Sequence, residues 1–177
     1  MKKDVLALGF VVFIIAILLS GTKIQSVEDY YLTHIDEITE TSETVFLTIR
    51  SDTVLQHLDR LKKELLPYIE QDGVILERSE YVLRPGDTAF ELLNRATRHH
   101  QIQMEYQGAD MNIYNSKYVQ GIQYLYEFSC GPLSGWMYSV NGEFPNVGIS
   151  QYELKDGDDV ALLYTCELGR DLGHTGF

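Results

Sequence analysis

The chain has 177 residues and a formal net charge of −12, from 14 Lys and Arg against 26 Asp and Glu. That acidity excludes a nucleic-acid binder, which needs a basic footprint, and disfavours an anionic membrane surface. With only two cysteines and no repeat, the length suits a single domain with its own core behind an N-terminal leader.

Met1-Lys2-Lys3-Asp4 precedes an uninterrupted apolar run, Val5 to Leu19, of signal-peptide length and slightly short for a full span. Leu19-Ser20-Gly21 has the form of a lipoprotein cleavage box, but Thr22 stands where the acylated cysteine would have to be, so a lipoprotein is excluded. Two readings of residues 1–21 stay open, an uncleaved signal anchor and a secretory peptide cut near Gly21. Leu19 is a poor small-residue position and favours the anchor. The leading lysines would remain cytoplasmic, so the expected location is a bacterial cell membrane with the domain facing outward. Residues 22–43 are rich in Glu and Asp and read as a solvated acidic tether, leaving 44–177 as the domain.

Val45, Leu47 and Ile49 alternate with Thr44, Phe46 and Thr48, which predicts a strand. Val54, Leu58, Leu61 and Leu65 recur at helical spacing, with Asp52 or Thr53 as cap and Pro67 just beyond, and predict an additional N-terminal helix. Gly73 to Leu76 and Tyr81 to Leu83 read as two strands around a polar turn. Thr88 and Glu91 form a capping box in front of Ala89, Leu92, Leu93 and Ala96, the principal helix. Ile102, Met104 and Tyr106 alternate as a strand, and Tyr118 to Phe128 reads as another, interrupted by Gly121. Trp136, Tyr138 and Val140 alternate up to Asn141-Gly142, a type I′ turn signal. Gln151 to Leu154 is a short extended piece, Asp156-Gly157 a turn, and Val160, Leu162 and Tyr164 a last strand. Strands around one principal packed helix make an α+β domain.

The residues from Trp136 to Tyr164 resemble the C-terminal β-domain of the transcobalamin and intrinsic-factor cobalamin carriers. A tryptophan strand is followed by Gly148-Ile149-Ser150-Gln151-Tyr152, then Lys155-Asp156-Gly157-Asp158, then the apolar strand Val160 to Leu163. Gly131 and Ser134 to Gly142 are similar to the pattern of bacterial exported proteins described as transcobalamin-like C-terminal domain proteins. The similarity continues upstream through Pro85 to Phe90 and the first strand, covering about residues 44–173. It implies a β-grasp-like mixed sheet and a surface domain that captures cobalamin or a related corrinoid and passes it to a membrane importer; the domain itself is expected to fold as a monomer. The large helical barrel of the animal carriers is not encoded here. Two cysteines frequent in the bacterial relatives are replaced by Ser51 and Ile149.

On this reading the ligand-binding residues are Trp136, Tyr138, Phe144, Gly148 and Tyr152. Trp136 is either a core residue or, beside Gly135 and with Tyr138 on the same face, a flat platform for a planar ligand. Phe144 after the Asn141-Gly142 turn is either an apolar finger over the ligand or a lid of the core. The 12 tyrosines, Tyr118, Tyr124 and Tyr126 among them, supply a polar rim or serve equally in a protein–protein contact. That second use is the alternative function, an extracellular module binding a surface protein or polymer without a small-molecule ligand.

An exported location permits a disulfide between Cys130 and Cys166, which would close a loop of about 36 residues and stabilise by about 3–4 kcal/mol; two unpaired thiols is the other outcome. His99-His100 ends the principal helix, where cations suit the exposed carbonyls. His174 is a remote candidate for an axial ligand to a corrinoid cobalt. No paired-carboxylate, Ser-His-Asp, Walker or zinc pattern is present, so the expectation is a protein without enzymatic activity, catalytic cofactor or metal site.

Overall fold

The computed structural model describes residues 9–16, 30 and 34–174. The chain divides into two compact units, Met1–Tyr30 and Tyr31–Phe177. In the first, residues 9–16 are helical; the rest of the expected Val5–Leu19 segment lies outside the described residues, among which no helix is long and apolar enough to cross a membrane.

The second unit is a mixed α+β fold. Its elements are β1 (Thr44–Arg50), β2 (Val74–Val82), α1 (Ala89–His99), β3 (Met104–Gln107), β4 (Tyr118–Ile122), β5 (Leu125–Tyr126), β6 (Gly135–Val140) and β7 (Asp159–Thr165). One sheet has the order β2-β1-β7-β6, the other β3-β4-β5. The first and last strands are central neighbours and run parallel, with Leu47 opposite Val160 and Ile49 opposite Leu162. Both strands alternate as their sequences do, so Val45, Leu47, Ile49, Val160, Leu162 and Tyr164 share the buried side. The Asp156-Gly157 turn holds the start of β1: Thr44 N–H donates to Asp156 Oδ1 at 2.8 Å and Gly157 N–H to the Thr44 carbonyl at 2.7 Å. Gly157 has φ 83°, a value a side chain would strain.

α1 begins at Thr88, whose hydroxyl accepts from the Glu91 amide at 3.4 Å while donating to the Glu91 carboxylate. Two further orphan amides are satisfied by a distant loop, Ala89 N–H by the Tyr152 carbonyl at 3.0 Å and Phe90 N–H by that of Ile149 at 3.1 Å. Ala89, Phe90, Leu92, Leu93 and Ala96 are fully buried. Each large one contributes about 1.5–3 kcal/mol by leaving water, more than the roughly 1 kcal/mol of a cap, so burial rather than capping sets this helix.

Three predicted elements differ. The additional N-terminal helix is absent: Asp52–Gln56 and Lys63–Tyr68 are separate 3₁₀ turns. The apolar spacing fails because Leu58 is 44% exposed while Val54 and Leu61 are buried. Lys62 is extended and gives its N–H to the Ser129 carbonyl at 3.0 Å, and Pro67 lies inside the second turn. The two short strands around a polar turn are one continuous β2, whose polar centre pairs with β1 through bulges. The Tyr118–Phe128 strand is instead a hairpin, β4 to β5, turning at Gln123 and Tyr124 with φ 51° and 64°. Gln103 holds that turn by accepting from both amides, at 2.9 and 2.8 Å. Residues 34–36 of the expected tether are also bound to the domain. Asp36 pairs with Arg84 at 2.6 Å, and Ile35 packs on the core.

Candidate ligand-binding site

A cavity of about 190 Å³ lies between β6 and the segment Asn112–Val119, flanked by Gly148 and Ile149 and floored by Leu162. Four aromatic residues reach it, Tyr114, Tyr118, Trp136 and Tyr138. The tryptophan strand and the glycine of the Gly-Ile motif, remote in sequence, therefore meet at one place.

Trp136 is 7% exposed. Its indole N–H donates to the Leu125 carbonyl at 2.8 Å, and its ring meets Tyr164 edge-on at 5.3 Å. It is a core residue that lends one side to the cavity, not an open platform. Tyr138 is half-buried; its hydroxyl donates to the Val147 carbonyl at 2.6 Å. Burial, with the neighbouring Tyr152 phenol adding to it, pushes its ionisation up to about 12. Tyr118 is also pushed up, first by desolvation and then by its hydrogen bond to Glu127 at 2.7 Å. Both phenols are neutral donors at physiological pH. Gly148 is needed for close approach, since a Cβ there would overlap the Ser116 side chain.

Tyr152 does not line the cavity; its ring lies 6.3 Å from that of Tyr138, behind it. Phe144 is not a finger over the site either. Its ring packs 5.0 Å from that of His174, outside the cavity lining. Tyr124 leans on Tyr68 at 4.9 Å, and Tyr126 is engaged by Gln103 at 2.9 Å and Glu105 at 2.5 Å.

The expected disulfide is not formed. Cys130 and Cys166 are free, buried, and 2.9 Å apart at sulfur, beyond the roughly 2.05 Å of a bond. Cys130 Sγ also points a weak hydrogen bond at the His57 carbonyl, 3.5 Å away. Desolvation raises both thiols above their ordinary ionisation. Among the described residues no group of His, Cys, Asp and Glu could hold a metal ion.

The loop that forms the cavity's other wall was missed from sequence. Asn112 builds it, donating to the carbonyls of Gly108 at 3.2 Å and Ser116 at 2.7 Å and accepting from Tyr114 N–H at 3.1 Å. Ser150 ties the loop to the Gly148 segment through Lys117 N–H at 2.9 Å and Ser116 Oγ at 3.0 Å. This held backbone turns Met111, Ile113 and Tyr114 outward at 67%, 91% and 76% exposure. The signal available beforehand was apolar residues set among turn-formers, Asp110-Met111-Asn112-Ile113-Tyr114-Asn115. Lys117, the cation of the lining, is paired with Glu91 at 3.4 Å and sits over the Phe90 ring at 4.1 Å. The cavity is thus apolar and effectively uncharged.

Residues 86–165 match the model of a domain of unknown function, DUF4430. No curated protein matches the chain. Among solved structures, haptocorrin in complex with Cbi is similar over 75% of this chain, at 12% identity and a TM-score of 0.47, and the chain spans only 27% of haptocorrin's length. A Ruminococcus gnavus protein assigned as metal-binding is similar over 70% of this chain and 96% of its own, at 11% identity and a TM-score of 0.40.

Proposed function

We propose that this chain is a non-enzymatic binding domain displayed outside a bacterial membrane, whose site is the aromatic cavity between β6 and the 112–119 loop. The observation that carries the reading is the convergence of Tyr114, Tyr118, Trp136 and Tyr138 on an open apolar space whose buried polar groups are already hydrogen-bonded within the domain. The central parallel pair β1 and β7, their antiparallel outer partners β2 and β6 and one packed helix support a β-grasp arrangement. Cobalamin or a related corrinoid is the ligand that the motif resemblance suggests, for transfer to a membrane importer. A cavity of about 190 Å³ is smaller than the roughly 300–1,000 Å³ of pockets that enclose drug-sized ligands. A corrinoid would therefore place a peripheral group in the cavity and lay its macrocycle across Tyr114 and Ile113. Titration of the full chain with cobalamin, followed by corrin absorbance, tests this. Saturable binding that weakens in Tyr114→Ala supports it, and no spectral change at millimolar cobalamin overturns the corrinoid assignment.

A second reading, an interaction module, is favoured by the three exposed apolar side chains Met111, Ile113 and Tyr114 on a hydrogen-bonded loop. Exposed apolar groups held in place at a loop tip suit a protein contact.

A further inference from the structure

The β2-β1-β7-β6 sheet has two edges, and they are built differently. β2 carries Glu77, Arg78, Ser79 and Glu80 through its centre, the charged composition by which natural edges resist pairing. β6 reads Gly-Trp-Met-Tyr-Ser-Val, with no charge, proline or bulge along it. The ladder with β7 is regular from Gly135 opposite Thr165 to Val140 opposite Val160. At its end Asn141 N–H donates to the Asp159 carbonyl at 2.8 Å, so the odd-numbered residues of this strand face β7. The even-numbered ones face away. The Ser134 carbonyl accepts from Phe128 N–H at 2.9 Å and Val140 N–H donates to the Glu143 carbonyl at 2.8 Å, both on the outer side. Between them, the N–H and C=O groups of Trp136 and Tyr138 have no hydrogen-bond partner among the described residues. Two donors and two acceptors thus stand unpaired along the cavity that these same residues line.

We infer that the β6 edge is a docking site for an extended peptide segment of a partner protein, which adds as a short strand and lowers one apolar side chain into the cavity. Backbone pairing requires an extended occupant, and the open stretch limits it to a core of about three to five residues. The period of two puts one side chain of the added strand on the Trp136 and Tyr138 face, at the cavity mouth. The flanks are cationic by complementarity. Glu127 borders the Gly135 end, its Cβ within 3.9 Å of where a Gly135 Cβ would stand, and exposed Glu143 closes the Val140 end. Within a chain of net charge −12, basic residues on either side of the apolar anchor are favoured. The assignment rests on the reading of the cavity as a binding site only for its anchor; the hydrogen-bonding edge is independent of any corrinoid.

The test uses the full chain and the synthetic peptide Ac-Lys-Lys-Val-Phe-Val-Lys-Lys-NH₂, with amide hydrogen exchange as readout. Binding should slow exchange at Trp136 and Tyr138 and leave Met137 and Ser139, already bonded to β7, unchanged. N-methylation at alternate peptide residues should weaken binding by about tenfold or more in one phase of the alternation and little in the other. Glu143→Lys, which keeps the Glu143 backbone bonds, should weaken it severalfold at low salt. Binding without the alternating protection would mean an anchor in the cavity alone and overturns the strand addition, as does no binding at millimolar peptide. Cobalamin absorbance in the same samples separates the two proposals, since loss of corrinoid binding leaves the amide pattern intact.

Discussion

Arg95 and Asp87 are joined by two near-parallel hydrogen bonds, Nη1 to Oδ1 at 3.0 Å and Nη2 to Oδ2 at 2.8 Å, with side chains only 4% and 7% exposed. The same guanidinium donates to the Val82 carbonyl at 3.1 Å, and Asp87 Oδ2 also accepts from Arg84 N–H at 3.0 Å. The Asp87 carbonyl accepts from Leu154 N–H at 2.9 Å. One buried ion pair therefore ties α1, the end of β2, the 84–87 turn and the segment after the Gly-Ile-x-x-Tyr motif. The motif that precedes it supplies Gly148 and Ile149 to the cavity wall.

Asp87→Asn should cost about 3–5 kcal/mol, because it leaves the Arg95 charge buried without its counter-charge. Against a typical total of about 5–15 kcal/mol that is a large fraction. Urea unfolding of the two proteins gives the difference directly. A loss below about 1 kcal/mol would mean that solvent reaches the pair.

Trp136→Ala should destabilise by about 3–5 kcal/mol, since the indole is core and its removal leaves a cavity. Trp136→Phe keeps most of the packing and strands the Leu125 carbonyl, for about 1–3 kcal/mol. Thermal unfolding of both variants checks the order. A Trp136→Ala protein of unchanged stability would return the residue to the surface.

Cys130 and Cys166 should resist a maleimide in the native protein and react together after unfolding, because both are buried and desolvation holds them as thiols. Mass spectrometry without reductant reads the number of adducts. Two adducts in denaturant confirm free thiols; none would reveal a bridge.

Stability should fall as the pH drops below about 6.5, the ordinary histidine value, through a contribution from His100. Desolvation, then the neighbouring charge of His99, lowers the folded-state affinity of His100 for a proton. Its ring nitrogen meets the Tyr81 hydroxyl at 3.0 Å. The unfolded chain binds the extra proton more readily, so this contribution is complete above the unfolded value and is lost as pH falls through the folded one. His100→Gln should flatten that part of the Tm profile between about pH 5 and 7. An identical profile in the variant would assign the slope to other groups.

What could be read from the residues alone was what local physics decides. The apolar stripe Ala89, Leu92, Leu93 and Ala96 with its Thr88 cap, the alternation of β1 and β7, and the left-handed turns at Asn141-Gly142 and Gly157 each depend on a few consecutive residues and water. Their periodicity, capping and φ preference have no competitor at that range. Other outcomes needed partners far along the chain. The Val54–Leu65 spacing lost its helix to a bond between Lys62 and Ser129. The ion pair of Arg95 and Asp87 and the thiols of Cys130 and Cys166 formed only once distant segments met. The cavity has the same origin. Ser116 and Ser150 are 34 residues apart, yet their 3.0 Å contact sets the 112–117 loop over β6 and leaves a space between them. Burial of Trp136 followed from the Leu125 carbonyl waiting behind it, a pairing created by the β4–β5 turn. Periodicity shows which face of an element shuns water; what covers that face is settled by the packing of the whole chain.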